Sequence, residues 1–320
     1  MKVLVTGANG FVGSALCDHL VQRGHEVRRG VRAARGPSRR ETPETVVVGD
    51  IDSTTDWNPS VDGVGAVVHL AARVHVLEDR STDALAEYRR ANVEGTRALA
   101  TAAQRAGVRR LIFVSSVKVH GERSSHPFTE LDVPHPEDAY ATSKLEAEEA
   151  LKQTLGAGQT QWTILRPPLI YGPGVRANFL ALLRVVDRGI PLPLAAIENR
   201  RSLLYVGNFV DAISACLERN GAEARTFLLS DGEDLSTPEL VRRVACALDR
   251  PARLAPVPVW LLRLAGALSR RAAAVDRLVS SLQVDATAVH KALRWTAPTD
   301  VGQGLQETAR WFRAAQRSAV

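Results

Sequence analysis

The sequence predicts an α/β fold in which helices cover both faces of a doubly wound parallel sheet, with a smaller C-terminal lobe. Three observations predict it. Short apolar runs alternate with longer amphipathic stretches in the first half of the chain, which is the order of repeated βαβ units. These apolar runs are continuous, as in strands that are buried on both faces. Near residue 166 the pattern changes to shorter elements separated by prolines.

The first half of the chain supplies the elements of the predicted sheet. Strands are predicted at residues 3–5, 46–48, 66–68 and 111–114. Helices are predicted at Phe11–Gln22 and at residues 82–105 and 138–155, from apolar positions at helical spacing. We therefore assign residues 1–166 to the first domain.

The second half, residues 167–320, is predicted to form a smaller lobe that is interleaved with the first domain, so that some elements return to the sheet. Shorter elements are predicted at residues 203–206, 209–217, 226–229 and 238–248. Residues 256–268 are apolar, but this segment is short and contains prolines. Both properties favour a packed helix or a lid over contact with a membrane.

The composition argues against several other classes of protein. No run of about 18 apolar residues is present, so no membrane-spanning helix is expected. Residues 1–7 fit a buried strand better than a signal peptide, and the expected compartment is the cytoplasm. The three cysteines are widely separated and the histidines lack metal-ligand spacing, which predicts reduced thiols and no metal. The net charge of +6 comes from scattered arginines, which argues against a nucleic-acid partner.

Three glycines follow the first predicted strand and open the first predicted helix. Gly7, Gly10 and Gly13 have the spacing GxxGxxG. A strand-to-helix turn of this kind needs residues without Cβ, and its backbone N–H groups then face the pyrophosphate of a dinucleotide. Residues 1–166 are therefore predicted to form a Rossmann-like dinucleotide-binding domain, with Phe11 and Val12 among the contacts.

The end of the second strand distinguishes NAD from NADP. An acid there binds the ribose 2′-hydroxyl of NAD, whereas an arginine suits the 2′-phosphate of NADP. The acid position falls near Val31, and Arg32 follows it, with no carboxylate nearby. This favours NADP, with Arg32 as the contact, although a solvated basic loop is the competing interpretation. Asp50 ends the next strand, where an aspartate can accept a hydrogen bond from the adenine amino group.

A tyrosine and a lysine suggest the chemistry. Tyr140 and Lys144 lie four residues apart on one face of a predicted helix. The pKa of a free phenol is about 10, and a nearby ammonium lowers it, so that the phenol can exchange a proton at neutral pH. Ser116 follows the strand at residues 111–114, where its hydroxyl can orient a substrate oxygen. The three residues predict proton transfer coupled to hydride transfer at a C–O carbon.

With these motifs the sequence resembles the extended short-chain dehydrogenase/reductases, specifically the nucleotide-sugar epimerase/dehydratase group. The resemblance covers nearly the whole chain. It is carried by residues 6–13, 49–51, 69–72, 92–96, 115–116, 140–144, 166–174 and 201–206, with Asp211 beyond.

The resemblance implies roles for further residues. Ile51, Ala71 and Ala72 would line the cofactor, and Pro167 would pack near the nicotinamide. Asn92 would be the fourth catalytic residue beside Ser116, Tyr140 and Lys144. Asn178 and Arg201 would hold the diphosphate of the nucleotide, and a guanidinium suits that role. A helix cap is the alternative role for Asn178.

Several positions depart from the family pattern. His120 replaces a common tyrosine, and no late Arg-Pro-Gly-Asp segment is recognisable between residues 251 and 283. Lys118 occupies the position of an acidic base in the dehydratase members, which argues against a 4,6-dehydratase. Contact with the substrate and a surface position are equally open for Lys118. Arg73 and His75 are further candidates for the sugar pocket.

Three functions remain open at this point. The first is a UDP-hexose 4-epimerase acting on UDP-glucose or UDP-GlcNAc, which the resemblance favours narrowly. The second is a 4-keto reductase of a nucleotide-linked 6-deoxy sugar, which fits Arg32 and NADPH better. The third, a non-catalytic dinucleotide sensor, does not need Ser116, Tyr140 and Lys144. The resemblance also implies a homodimer that pairs through the helices at residues 82–105 and 138–155.

Overall fold

A computed structural model describes residues 1–33, 44–74, 83–156 and 158–317. Its strands are β1 Lys2–Thr6, β2 Glu26–Val31, β3 Thr45–Val47, β4 Ala66–His69, β5 Arg110–Val114, β6 Gln161–Arg166, β7 Leu169–Tyr171, β8 Arg201–Tyr205, β9 Arg225–Leu228 and β10 Asp234–Leu235. Its α-helices are α1 Phe11–Gln22, α2 Asn58–Val61, α3 Ala84–Tyr88, α4 Gly95–Arg105, α5 Ala139–Leu155, α6 Ala177–Asp187, α7 Val206–Glu218, α8 Thr237–Ala247, α9 Val259–Leu268, α10 Ala272–Val279, α11 Thr287–Leu293 and α12 Val301–Arg317.

The predicted doubly wound parallel sheet is confirmed. Seven strands lie in the order β3-β2-β1-β4-β5-β6-β9, and every neighbouring pair is parallel. The chain order reverses between β1 and β4, and the carboxyl ends of these strands meet at one edge. In sheets of this kind ligands bind at that edge.

Burial on both faces explains the continuous apolar strands. In β1, Val3 and Val5 face a cluster with α1, α7 and α11, whereas Leu4 faces a cluster with α2, α4 and α5. Successive side chains of a strand point to opposite faces. When helices cover both faces, apolar residues are therefore favoured at successive positions of the strand.

The second half is interleaved with the first, because β9 pairs with β6 and completes the main sheet. The remaining strands form a small sheet in the order β10-β8-β7. Together with α6, α8 and α12 they enclose a third apolar cluster. The boundary at residue 166 stays a prediction, since the chain crosses between the two layers more than once.

The predicted helix at residues 82–105 is divided in the structure. Residues Arg89–Glu94 form a π-helical segment between α3 and α4, while residue 82 lies outside the described part of the chain. A π segment adds a residue to the turn and shifts the side chains that follow it, which is common at functional sites. Asn92 lies in this segment.

Within the described ranges, the longest apolar helices are too short or too polar to cross a bilayer. Cys17 and Cys216 are buried and Cys246 is exposed, and all three are free thiols, as predicted.

Candidate active site

The glycine loop between β1 and α1 is packed too closely for side chains. A Cβ on Gly13 would lie 2.2 Å from the carbonyl oxygen of Gly7, and a Cβ on Gly10 would lie 3.0 Å from the same oxygen. Gly7 has a φ of +67°, and a Cβ there would lie 3.0 Å from the backbone nitrogen of Ala71. The loop therefore needs glycine at all three positions, for its own turn and for its contact with the chain after β4.

The start of α1 fits the pyrophosphate of a dinucleotide. The helix begins at Phe11 with no side-chain cap and no acidic residue in its first turn. The side chains of Phe11 and Val12 pack toward the apolar cluster of the second lobe. The first-turn N–H groups of a helix have no intrahelical acceptor, and here neither a cap nor a carboxylate competes for them. The bare backbone can therefore approach an anion.

Thr6 fixes the chain after β4 against the glycine loop. Its hydroxyl accepts hydrogen bonds from the backbone N–H groups of Leu70 (3.2 Å) and Ala71 (3.1 Å). The same hydroxyl contacts Nδ1 of His69 at 2.7 Å. Ala71, predicted to line the cofactor, thus lies at the carboxyl edge beside Gly7, and Ala72, the other predicted contact, follows it in the chain.

Asn92 holds the next part of that chain. Its Oδ1 accepts from the backbone N–H of Arg73 at 2.8 Å, and its Nδ2 donates to the Arg73 carbonyl at 3.1 Å and to Ser143 Oγ at 2.9 Å. The buried amide therefore ties the chain after β4 to α5. The Arg73 guanidinium lies over the ring of Tyr88. His75, the other predicted sugar contact, lies outside the described residues.

Ser116 and Tyr140 meet at the carboxyl edge of β5. Ser116 caps a short 3₁₀ turn, and its hydroxyl hydrogen-bonds the Tyr140 phenol. Tyr140 lies in the first turn of α5, whose N-cap Asp138 accepts from the backbone N–H of Ala141 at 2.7 Å. This cap defines where the helix begins and so places the phenol beside the serine.

The pKa of Tyr140 differs from the predicted direction. Burial, with the nearby Asp138 carboxylate, raises the pKa of Tyr140 to about 12, and the Ser116 hydroxyl is the group that favours the phenolate. Lys144 lies with its Nζ over the Phe113 ring, 3.9 Å from the ring centre. Burial lowers the pKa of Lys144 to about 7, which weakens its charge at neutral pH. Burial thus opposes the lowering of the Tyr140 pKa that the sequence predicts.

A buried ion pair links α5, the helix of Tyr140 and Lys144, to the end of β6. Glu148, one turn beyond Lys144, accepts from Arg166 at 3.0 and 2.5 Å. Arg166 also donates to Nε2 of His120 at 2.8 Å. Burial and the arginine lower the pKa of His120 to about 4, so the ring is neutral and can accept. The residue that replaces the family's tyrosine thus belongs to this network.

Lys118 belongs to a charged cluster beside the phenol. Its Nζ lies 2.5 Å from Glu122 and 3.0 Å from Asp138, the N-cap of α5. Arg277, in the last turn of α10, lies 3.8 Å from the same Glu122 carboxylate. Lys118 is therefore a partner of carboxylates at the mouth of the site, and its contact with a substrate stays a prediction.

Arg201 opens β8 and turns toward this cluster. Its guanidinium donates to the carbonyls of Arg277 at 2.8 Å and Ser280 at 3.0 Å. Burial lowers the pKa of Arg201, while Glu122 opposes that shift. Asn178, the second predicted diphosphate contact, is exposed in the first turn of α6. It does not cap the helix, because Arg176 holds that position, so the alternative role of a cap is wrong.

The predicted adenosine contacts lie at the ends of β2 and β3. Arg32 forms an ion pair with Asp50, so two residues that were assigned separate contacts bind each other. Both side chains are strongly exposed, and such a pair contributes little to stability. Ile51 packs against Gly95, where a Cβ would lie 2.3 Å from its Cγ2.

Pro167 follows β6, and its carbonyl accepts from the backbone N–H of Val117 at 3.0 Å. The loop that carries Ser116 is thereby fastened to the segment that was expected to pack near the nicotinamide. The described residues contain no cluster of side chains suited to a metal ion.

Sequence reasoning missed Glu148, Arg166 as its partner, and the pair Glu122 and Arg277. For Glu148 a signal was present, because it follows Lys144 by four residues and therefore shares its helix face. Glu122 and Arg277 are far apart in sequence, and only the tertiary fold brings them together.

A family model described as the NAD dependent epimerase/dehydratase family matches residues 3–229. This chain belongs to that family. Among curated relatives, the UDP-glucose 4-epimerase of Vibrio cholerae is 40% identical over 317 residues, covering 98% of this chain and 96% of the relative. The N-acetyl-alpha-D-glucosaminyl-diphospho-ditrans,octacis-undecaprenol 4-epimerase of Escherichia coli O157:H7 is 30% identical and covers 97% of this chain and 95% of the relative.

A solved structure, MoeE5 in complex with UDP-glucose and NAD, has a TM-score of 0.78 and 26% sequence identity to this member of the epimerase/dehydratase family. The match covers 99% of this chain and 100% of that chain. The predicted membership of the family is thus confirmed.

Proposed function

We propose that this protein is an NAD-dependent UDP-hexose 4-epimerase, with UDP-glucose and UDP-GlcNAc as its candidate substrates. The hydrogen bond between Tyr140 and Ser116 carries the proposal, because it joins the two hydroxyls that would bind the 4-oxygen of the sugar, at the carboxyl edge of the sheet that holds the glycine loop. The 40% identity to a UDP-glucose 4-epimerase over nearly the full chain supports the same reaction.

The reaction needs a proton and a hydride to leave the same C–O group and to return. When bound, the oxidised dinucleotide supplies the hydride acceptor for C4 and a positive charge that favours the Tyr140 phenolate. Tyr140, as the phenolate, takes the proton of the 4-hydroxyl and returns it after the keto sugar has rotated to present its other face. Ser116 donates to the same oxygen and keeps it in reach of the phenol.

The substrate diphosphate is expected to bind beside Arg201 and Arg277, at the arginine side of the charged cluster. Arg201 is held in place by the carbonyls of Arg277 and Ser280. A second guanidinium, that of Arg277, lies 3.8 Å from the Glu122 carboxylate. Arginine suits a diphosphate because its planar fork donates two parallel hydrogen bonds. Lys118, Arg73 and Asn178 are secondary candidates for contacts with the sugar nucleotide.

The experiment is incubation of the purified protein with UDP-glucose or UDP-GlcNAc, without added cofactor, followed by detection of the C4 epimer. An epimerase restores its cofactor in every turnover, so turnover without added cofactor is expected. Absence of the epimer even with added NAD, together with oxidation of NADPH by a nucleotide-linked 4-keto sugar, would replace the proposal by the 4-keto reductase.

The preference between NAD and NADP depends on Arg32 in this proposal. Arg32→Asp places a carboxylate where it can accept from a ribose 2′-hydroxyl and repel a 2′-phosphate. The ratio of NADP affinity to NAD affinity is expected to fall about tenfold or more, the scale of a lost charged hydrogen bond. Fluorescence titration with both dinucleotides measures the ratio.

The matched control for this experiment is Asp50→Asn, which releases Arg32 from its ion pair and is expected to shift the ratio toward NADP. Equal ratios in the wild type and both variants would show that this ion pair lies outside the cofactor site. A homodimer that pairs through α4 and α5 remains a prediction.

A further inference from the structure

The helices α9 and α10 form a hairpin, residues 259–279, that is scarcely buried. Gly266 is the one buried residue of α9, and α10 has none. The outer side of α9 carries Trp260, Leu261, Leu264 and Leu268. Trp260 is 64% exposed and Leu268 80% exposed, which is far more than a packed helix or a lid resting on the protein would show. The sequence-based expectation of a packed helix is therefore wrong for this side.

The exposed apolar residues lie on one stripe. Positions 260, 264 and 268 follow one another at intervals of four, and 261 lies beside them. On the other side of α9, Val259 and Leu262 pack toward the second lobe. Gly266 meets Val275 of α10 so closely that a Cβ would lie 2.7 Å from it. The hairpin is thus held on the second lobe by Val259 and Leu262, and its apolar stripe points away from the protein.

The charges around the stripe are mostly positive. The hairpin, residues 259–279, contains four arginines and one carboxylate, Asp276. Arg263 reaches Asp276 of α10 at 3.5 Å, while Arg270 and Arg271 are exposed at the turn between the helices. Large apolar side chains beside arginines form the pattern of helices that lie in the interface of an anionic bilayer.

We propose that the α9–α10 hairpin docks on the surface of an anionic lipid bilayer. Trp260, Leu264 and Leu268 enter the boundary between headgroups and acyl chains, and the arginines contact lipid phosphates. The helix lies in the plane of the surface, since its ten residues cannot span the hydrocarbon core. This proposal departs from the sequence-based expectation of no membrane contact, and it goes beyond the proposed epimerase activity.

A second copy of this chain is the alternative occupant, and the charges argue against it. A twofold contact through the stripe would bring together two hairpins that each carry four arginines and the single carboxylate Asp276. Such like charges oppose each other, whereas an anionic surface attracts all of them.

The hairpin continues directly into the proposed diphosphate site. Arg277 in its last turn and Ser280 just beyond it supply the carbonyls that hold Arg201. A docked hairpin would therefore keep the proposed diphosphate site close to the lipid surface.

The test is co-sedimentation of the full chain with vesicles of phosphatidylglycerol and phosphatidylcholine in equal parts, against vesicles of phosphatidylcholine alone. Binding to the anionic vesicles is expected to be stronger by about tenfold or more, and to weaken as salt is raised. Trp260→Ser/Leu264→Ser should weaken it by about tenfold or more, because the variant loses two of the three apolar side chains that enter the bilayer. Arg270→Gln/Arg271→Gln should remove most of the salt dependence.

The matched control is Leu131→Ser/Val133→Ser, which removes two apolar side chains that are 94% and 85% exposed elsewhere on the surface. It should leave vesicle binding unchanged. Equal binding of the wild type to both vesicles, or equal binding of all variants, would overturn the proposal. A change of mass in light scattering caused only by Trp260→Ser/Leu264→Ser, with no vesicle binding by the wild type, would assign the stripe to a second copy. The vesicles contain no sugar nucleotide, so the result is independent of the proposed reaction.

Discussion

Tyr140→Phe is expected to lower the rate of C4 epimerisation by about 1,000-fold or more, while the affinity for the dinucleotide changes little. The variant keeps the ring, which packs edge-on against Tyr88 with centroids 6.3 Å apart, and loses the hydroxyl that Ser116 contacts. A positioned acid–base group contributes about 100- to 10,000-fold to a rate, and the reaction needs this group in both directions. Initial rates with UDP-glucose or UDP-GlcNAc measure the first effect, and fluorescence titration measures the second.

Tyr88→Phe is the matched control for this prediction. It removes a neighbouring phenol hydroxyl that donates to the Val74 carbonyl at 3.4 Å. Its rate is expected to stay within a few-fold of the wild type, because this hydroxyl has no role in the proton transfer. Undiminished turnover by Tyr140→Phe would refute the role of Tyr140 in proton transfer, even if the chain proved to be an epimerase.

The central sheet could be predicted from the sequence because its signals are local. Strands buried on both faces need continuous apolar residues, and the glycine loop defines where α1 begins, so Phe11–Gln22 is observed as predicted. The pairing of β9 with β6 depends on tertiary structure and leaves no local pattern. The same holds for the π segment at Arg89–Glu94, whose composition resembles that of the helices on either side.

The candidate site was predictable in its residue types and less so in its electrostatics. The spacing of Tyr140 and Lys144 indicates a shared helix face, but the pKa of each depends on burial, which spacing does not report. Burial disfavours the charged form of both groups and so raises one pKa and lowers the other. Arg32 shows the same limit, because its partner Asp50 comes from a neighbouring strand end.

Glu148→Gln is expected to lower the free energy of unfolding by about 3 kcal/mol or more. Glu148 is fully buried and binds Arg166, which is itself 4% exposed, through two hydrogen bonds. Removing one partner of a buried ion pair costs about 3–5 kcal/mol, because the other charge stays buried without compensation. The His120 ring cannot replace the carboxylate, since burial and Arg166 hold its pKa near 4 and leave it neutral. Urea denaturation of both proteins measures the difference.

Glu146→Gln is the matched control, on the same helix and with the same geometry. Glu146 accepts from Arg89 at 2.8 and 2.5 Å, but this pair is exposed. An exposed pair contributes about 0–1 kcal/mol, so the control variant should unfold almost as the wild type does. An equal decrease in the free energy of unfolding of the two variants would mean that burial does not determine the strength of these ion pairs.

Glu148 is also expected to influence the chemistry through Lys144, and a measurement of stability alone would not reveal that influence. Its carboxylate raises the pKa of Lys144 against the effect of burial, which holds that pKa near 7. Without the carboxylate the pKa of Lys144 falls further, and the ammonium persists only at lower pH. If the charged lysine supports the Tyr140 phenolate, the alkaline limit of the kcat profile should move to lower pH in Glu148→Gln. A purely structural role would reduce stability and leave that profile where it is.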